Sequence, residues 1–159
     1  MSHFAKRQIG MARFNSGIFA ADAWAKVSLL SATPYSTEDS LVSVDTVNSK
    51  IIANEGGWHR VDTSLQFWFG SVGVTRDILV RIVLRTGAVT TYVASTYQTA
   101  LISEKTYESG EASEVKLSTV IYMLPDAWVE VEAYPVNTGL ATYDTSTLSV
   151  ERLPQNITI

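Results

Sequence analysis

Between residues 60 and 69 the chain alternates. Val61, Thr63, Leu65, Phe67 and Phe69 fall on one side, and Arg60, Asp62, Ser64, Gln66 and Trp68 on the other. Successive side chains of an extended strand point to opposite faces, so this segment reads as a strand with one side against a core. Residues 77–85 repeat the pattern: Ile78, Val80, Ile82 and Leu84 oppose a set that contains Arg81 and Arg85, and Thr86-Gly87 follows as a turn. The chain carries 17 Val, 17 Thr and 10 Ile, β-branched residues that fit a pleated sheet and lose rotamer freedom in helices. An all-β domain is expected.

Weaker strand signals fill in the rest. Short strands are expected at 24–27, 41–47 and 50–53, and longer ones at 89–97, 115–124, 128–136 and 147–153. Pro34 marks a polar loop over 32–40, glycines turn the chain at 70–73, Pro125-Asp126-Ala127 makes a tight turn, and 103–114 reads as a long exposed loop. About eight to ten strands spaced about 8–12 residues apart make the pattern of a two-sheet antiparallel sandwich or jelly roll. Residues 1–14 hold Lys6, Arg7 and Arg13 and no acid, and read as a basic arm or a first edge strand. The folded domain is placed at 15–153, with a short tail at 154–159. No repeat recurs.

Composition excludes several chemistries. A chain of 159 residues buries roughly two-thirds of its surface on folding and needs no metal or disulfide to hold it. Without cysteine there is no disulfide scaffold, thiol nucleophile or thiolate metal site. The formal charge is 12 − 16 = −4, which gives no general affinity for nucleic acid. Apolar runs are too short for a membrane span, and the basic start lacks a following apolar stretch, so a chain made in a cytoplasm is expected. His3 and His59, the two histidines, have no ligand spacing. No Gly-x-Ser-x-Gly elbow or phosphate-binding glycine loop is present. Asp39, Asp45 and Asp62 are scattered rather than set at calcium-loop spacing. Glu130 and Glu132 share one strand face about 7 Å apart, a separation that suits acid–base work in glycosidases. A solvated strand face is the favoured reading of that pair, so no enzyme and no cofactor is expected. Asn156-Ile157-Thr158 fits a glycosylation acceptor, which without a secretion signal is taken as accidental.

The order of the strand signals carries a resemblance. Residues 48–67, with Asn48, Ile51, Gly57, His59, Val61, Leu65 and Phe67, resemble the stretch N-x-x-I-x-x-x-x-x-G-x-Y-x-V-x-x-x-L-x-F of complement-type globular heads, relatives of the tumour-necrosis-factor jelly roll. Residues 117–131 resemble the family hairpin L-x-L-x-x-G-D-x-V-x-V, and 146–153 resemble its closing S-x-F-S-G-x-x-L strand. Trp24-Ala25-Lys26-Val27 sits where many viral members have Trp-Thr-Lys-Val. The similarity covers about residues 14–153. His59 replaces the usual Tyr, Pro125-Asp126 replaces Gly-Asp, and Leu148 and Val150 replace Phe and Gly. The resemblance implies a homotrimer about a threefold axis. Trp68, Tyr122, Trp128 and Tyr134 lie on strand sides that one core does not need, and they are the interface candidates together with His59 at the family's tyrosine position. The alternative for these rings is burial under covering loops.

Animal relatives follow a collagen stalk or a membrane anchor, and this chain shows neither. It resembles the small jelly-roll trimers that viruses of bacteria carry on the virion. That implies a capsid decoration or cement protein on the capsid exterior, clamping the major capsid protein, with Lys6, Arg7 and Arg13 reaching the shell. The alternative is the receptor-binding knob of a tail or head fibre that recognises a host-surface glycan or protein. A carbohydrate-active enzyme using Glu130 and Glu132 is the third reading.

Overall fold

The strand marked out by alternation is the spine of the first of two sheets. The computed structural model describes residues 9–32, 41–69, 75–87, 89–101, 113–137, 139–143 and 145–154. Among these residues there are thirteen strands and no helix. They are β1 (Ile9–Phe14), β2 (Gly17–Phe19), β3 (Ala25–Lys26), β4 (Leu29–Ala32), β5 (Val42–Asp45), β6 (Lys50–Ala53), β7 (Gly57–Phe69), β8 (Thr75–Thr86), β9 (Val89–Leu101), β10 (Ser113–Met123), β11 (Trp128–Val136), β12 (Leu140–Thr142) and β13 (Thr147–Arg152). β7 is bonded to β10 on one side, and on the other first to β13 and then to β12. The first sheet runs β2-β12-β7-β13-β1-β4 with β10 on β7, and the second β5-β6-β11-β8-β9 with β3 on β11. All the pairings are antiparallel, so the chain is a two-sheet jelly-roll sandwich.

The core lies between the sheets where the alternation requires it. Val61, Leu65 and Phe67 of β7 meet Ile78, Val80 and Ile82 of β8, Val129 and Val131 of β11, and Leu148 and Val150 of β13 in one buried cluster. Thr63 belongs to the same inward set. Its hydroxyl donates to the Thr147 carbonyl at 2.9 Å, which meets the hydrogen-bonding demand of a buried polar atom. The expected turns appear at Gly87, with φ 60°, and at Pro125-Asp126, where Asp126 takes φ 67° and the Ala127 amide donates to the Leu124 carbonyl at 3.1 Å. Proline followed by a residue at positive φ is the type II arrangement.

The N-terminal boundary differs from the sequence expectation. Residues 9–14 are neither an arm nor an edge: β1 is bonded to β13 on one side and β4 on the other. Its Ala12 and Phe14 are fully buried, so the folded unit includes Ile9 and does not begin at residue 15. Lys6 and Arg7 lie outside the described residues, as do the turn at 70–73, most of the polar segments 32–40 and 103–114, and the tail beyond Pro154. β2, β4 and β12 were not expected. A strand of three or four residues is too short to display a period.

Gly57 opens β7 at φ 145°, where a Cβ would press on the Arg152 guanidinium, 2.6 Å from Nε. Gly57→Ala combines backbone strain with this clash, and it is expected to lower unfolding stability by about 2 kcal/mol or more. Urea denaturation midpoints check this.

Candidate interaction surfaces

The exposed side of the second sheet is covered by its own cations. β11 sets Trp128, Glu130, Glu132 and Tyr134 at successive outward positions, in register with Arg85, Val83, Arg81 and Leu79 of β8. Arg85 Nε donates to Glu130 Oε2 at 3.0 Å, while Lys26 Nζ and Trp128 Nε1 donate to Oε1 at 3.3 and 2.9 Å. Glu130 is therefore charged yet only 5% exposed, with three donors in place of water. Burial by itself would raise its pKa. The bonds from Trp128 and Arg85 and the charges of Lys26 and Arg85 outweigh that and hold the carboxyl below its ordinary value.

The neighbouring carboxylate is tied in the same way. Arg81 Nε donates to Glu132 Oε1 at 2.7 Å, and the guanidinium lies against two rings, 3.7 Å from the centroid of Trp24 and 4.0 Å from that of Tyr92. Trp24 packs tilted on Tyr134 with centroids 5.4 Å apart, and Lys50 Nζ stands 4.2 Å from the Trp128 centroid. The glutamates are thus members of an ion-pair layer and not a solvated face. The lowered pKa of Glu130 is the opposite of the raised value that a glycosidase's proton donor needs, and Glu132 is paired with Arg81.

The first sheet presents a different outer face. Near the start of β7, Trp58 stands opposite Tyr122 of β10, and the rings meet edge-on at 5.4 Å and 84°. Trp58 is 38% exposed and Tyr122 52%, with exposed Val120 and Leu124 on the same strand side or just beyond it. Among the described residues no cation covers either ring. At the other end of β7, about 33 Å away by strand rise, exposed Trp68 shares a cross-strand row with Ala141 and Ile18. A groove of about 260 Å³ lies between the two ends, lined in part by Asp62, Ser64, Lys116, Leu117 and Ser149.

Comparison with known structures agrees with the two-sheet fold that carries these surfaces. The chain superposes on the structure of Eiger TNF from S. frugiperda with a TM-score of 0.68 and 8% identity, over 95% of each chain. Against murine APRIL at pH 8.0 the TM-score is 0.59 at 9% identity, over 91% of this chain and 97% of that one. The fold is the tumour-necrosis-factor jelly roll. No family model and no curated protein matches the chain in sequence.

Within this tumour-necrosis-factor-like sandwich the five expected ring positions divide three ways. Tyr122 and Trp68 lie on the outer face of the first sheet, at opposite ends. Trp128 and Tyr134 are on the other sheet, half-buried in the cation layer. His59 is fully buried inside its own subunit. Of the three basic residues assigned to the arm, Arg13 is exposed on β1. Trp58 was missed, although the alternation of 60–69 carried two residues upstream puts Trp58 outward and His59 inward.

Glu130→Gln removes the charge that three donors share and is expected to cost about 2 kcal/mol at pH 7. Because the folded carboxyl titrates below 4.5, its contribution is complete above that pH and fades as pH falls through the depressed value. Wild type and variant should therefore converge in denaturant titrations below pH 4.5.

Proposed function

We propose that the protein is a structural head without enzymatic activity that works as a homotrimer, joined through the outer face of the first sheet at Trp58 and Tyr122. The Trp58–Tyr122 pair supports this most directly: Trp24, Tyr92 and Trp128 lie against Arg81 or Lys50, whereas among the described residues no cation covers these two, and Val120 and Leu124 beside them are exposed as well. Exposed apolar patches of this kind mark interaction sites. Three copies close only if each offers the same pair of complementary surfaces around an axis.

The finer reading is a decoration protein on the capsid exterior. A threefold binder on a threefold lattice site engages three capsid contacts at once, so weak individual contacts add through effective concentration. Binding the assembled shell in preference to free capsid protein stabilises the shell by linkage. The N-terminal residues, Lys6, Arg7 and Arg13 among them, supply the contact with the major capsid protein.

Light scattering should give a mass near three times 17.4 kDa. Trp58→Ala and Tyr122→Ala should each weaken assembly by about 1–4 kcal/mol, while Trp128→Ala lowers subunit stability and leaves the assembled mass unchanged. The decoration reading requires co-sedimentation with undecorated expanded capsids at micromolar protein. Binding instead to host-cell surfaces, with none to capsids, would replace it by the fibre-knob reading.

A further inference from the structure

We propose that His59 is an acid-sensitive latch on the assembly: a proton taken up at His59, beside a buried Arg152 that has no carboxylate partner among the described residues, loosens the strand junction carrying Trp58 and releases the subunits at mildly acidic pH. The release step rests on the trimer reading above. The effect on the subunit itself does not.

The latch is built at the start of β7. Trp58 points outward, and the next residue, His59, points into the sandwich at 0% exposure. Its Nδ1 lies 2.8 Å from the Gly57 carbonyl oxygen. A carbonyl only accepts, so Nδ1 carries the hydrogen and Nε2 of the neutral ring is left as an acceptor. Nε2 has no partner. Across the strand pair from His59 stands Arg152, 5% exposed, on the same inward side. Arg152 donates through Nη1 to the Leu153 carbonyl, packs on the Gly57 backbone, and leaves Nε without a partner. None of the ion pairs among the described residues involves it. The Leu153 amide in turn donates to the Trp58 carbonyl at 2.9 Å, so the same short segment holds both the buried cation and the backbone of the exposed ring.

Among the described residues, the strands around His59 offer no carboxylate to balance a second charge. β10 places Ile121 opposite it and Met123 opposite Gly57, both buried and apolar. β13 contributes Arg152, a like charge. β7 itself contributes Gly57 and Val61 on that side, and Arg60 points out. Burial is the largest influence on the ring and disfavours the imidazolium. The Gly57 bond favours it, Arg152 disfavours it, and the net shift is below 6.5. An unfolded chain binds the proton more readily. Stability is therefore complete above the ordinary histidine value and declines as pH falls below it, until the depressed folded value is reached. Across that window each pH unit lowers the folded-to-unfolded ratio about tenfold per subunit.

The test follows melting temperature and light-scattering mass of the full chain from pH 7.5 to pH 5.0, for the parent and for His59→Gln. Glutamine can still donate to the Gly57 carbonyl and cannot be protonated. The parent should lose melting temperature and dissociate on acidification, and the variant should do neither. Equal losses in the two proteins overturn the proposal. Should His59→Gln fail to fold, NMR titration of the parent's two histidine rings decides: a buried ring titrating at or above the ordinary value overturns the latch, and one titrating well below it supports it. A parent already monomeric at pH 7.5 overturns the trimer reading and the release step with it, while the difference in melting still decides whether His59 is the acid-sensitive group.

Discussion

β7 is hydrogen-bonded along both sides, and the rest of the molecule is arranged about that constraint. β10 holds one side, and β13 followed by β12 holds the other. A strand bonded on both sides cannot rotate, so each of its residues is committed to the core or to the outer face. A slip of one residue would put Phe67 and Leu65 in water and Arg60 and Asp62 in the core. Both exposed tryptophans of the strand are set by this commitment: Trp58 and Trp68 face out because Val61 and Leu65 face in.

The two sheets handle their outward aromatic residues in different ways. On the second sheet, Arg81 and Lys50 lie on rings, and Arg85, Lys26 and Arg81 neutralise two carboxylates. Apolar ring faces and charged heads lie against one another there, although Tyr92 still leaves much of its ring exposed. On the first sheet, among the described residues, Trp58 and Tyr122 meet each other and no cation. A second copy of the chain, as proposed above, would take that pair out of water. The contrast gives the proposed assembly its direction.

Much of the architecture was legible beforehand. Strands with five or more alternating residues, β7, β8, β10, β11 and β13, stand out because the two faces of a half-buried strand see different solvents. β1 was obscured by the charges in and just before it in sequence: Lys6, Arg7 and Arg13 suggested a basic arm, yet Ala12 and Phe14 form part of the core. The fate of Glu130 was not legible, since its partners Lys26 and Arg85 are 104 and 45 residues away along the chain. Spacing along one strand reports that Glu130 and Glu132 share a side. It does not report what stands across from them.

By itself, then, the order of residues determined an all-β sandwich, the inward and outward sides of its long strands, and the turns at Gly87 and Pro125-Asp126, because period and turn geometry are local properties. Which outward rings lie against cations, and that His59 and Arg152 are buried together without a counter-charge among the described residues, was decided by tertiary structure. Those facts depend on pairings between strands far apart in the chain, and no local pattern encodes the register in which distant strands meet.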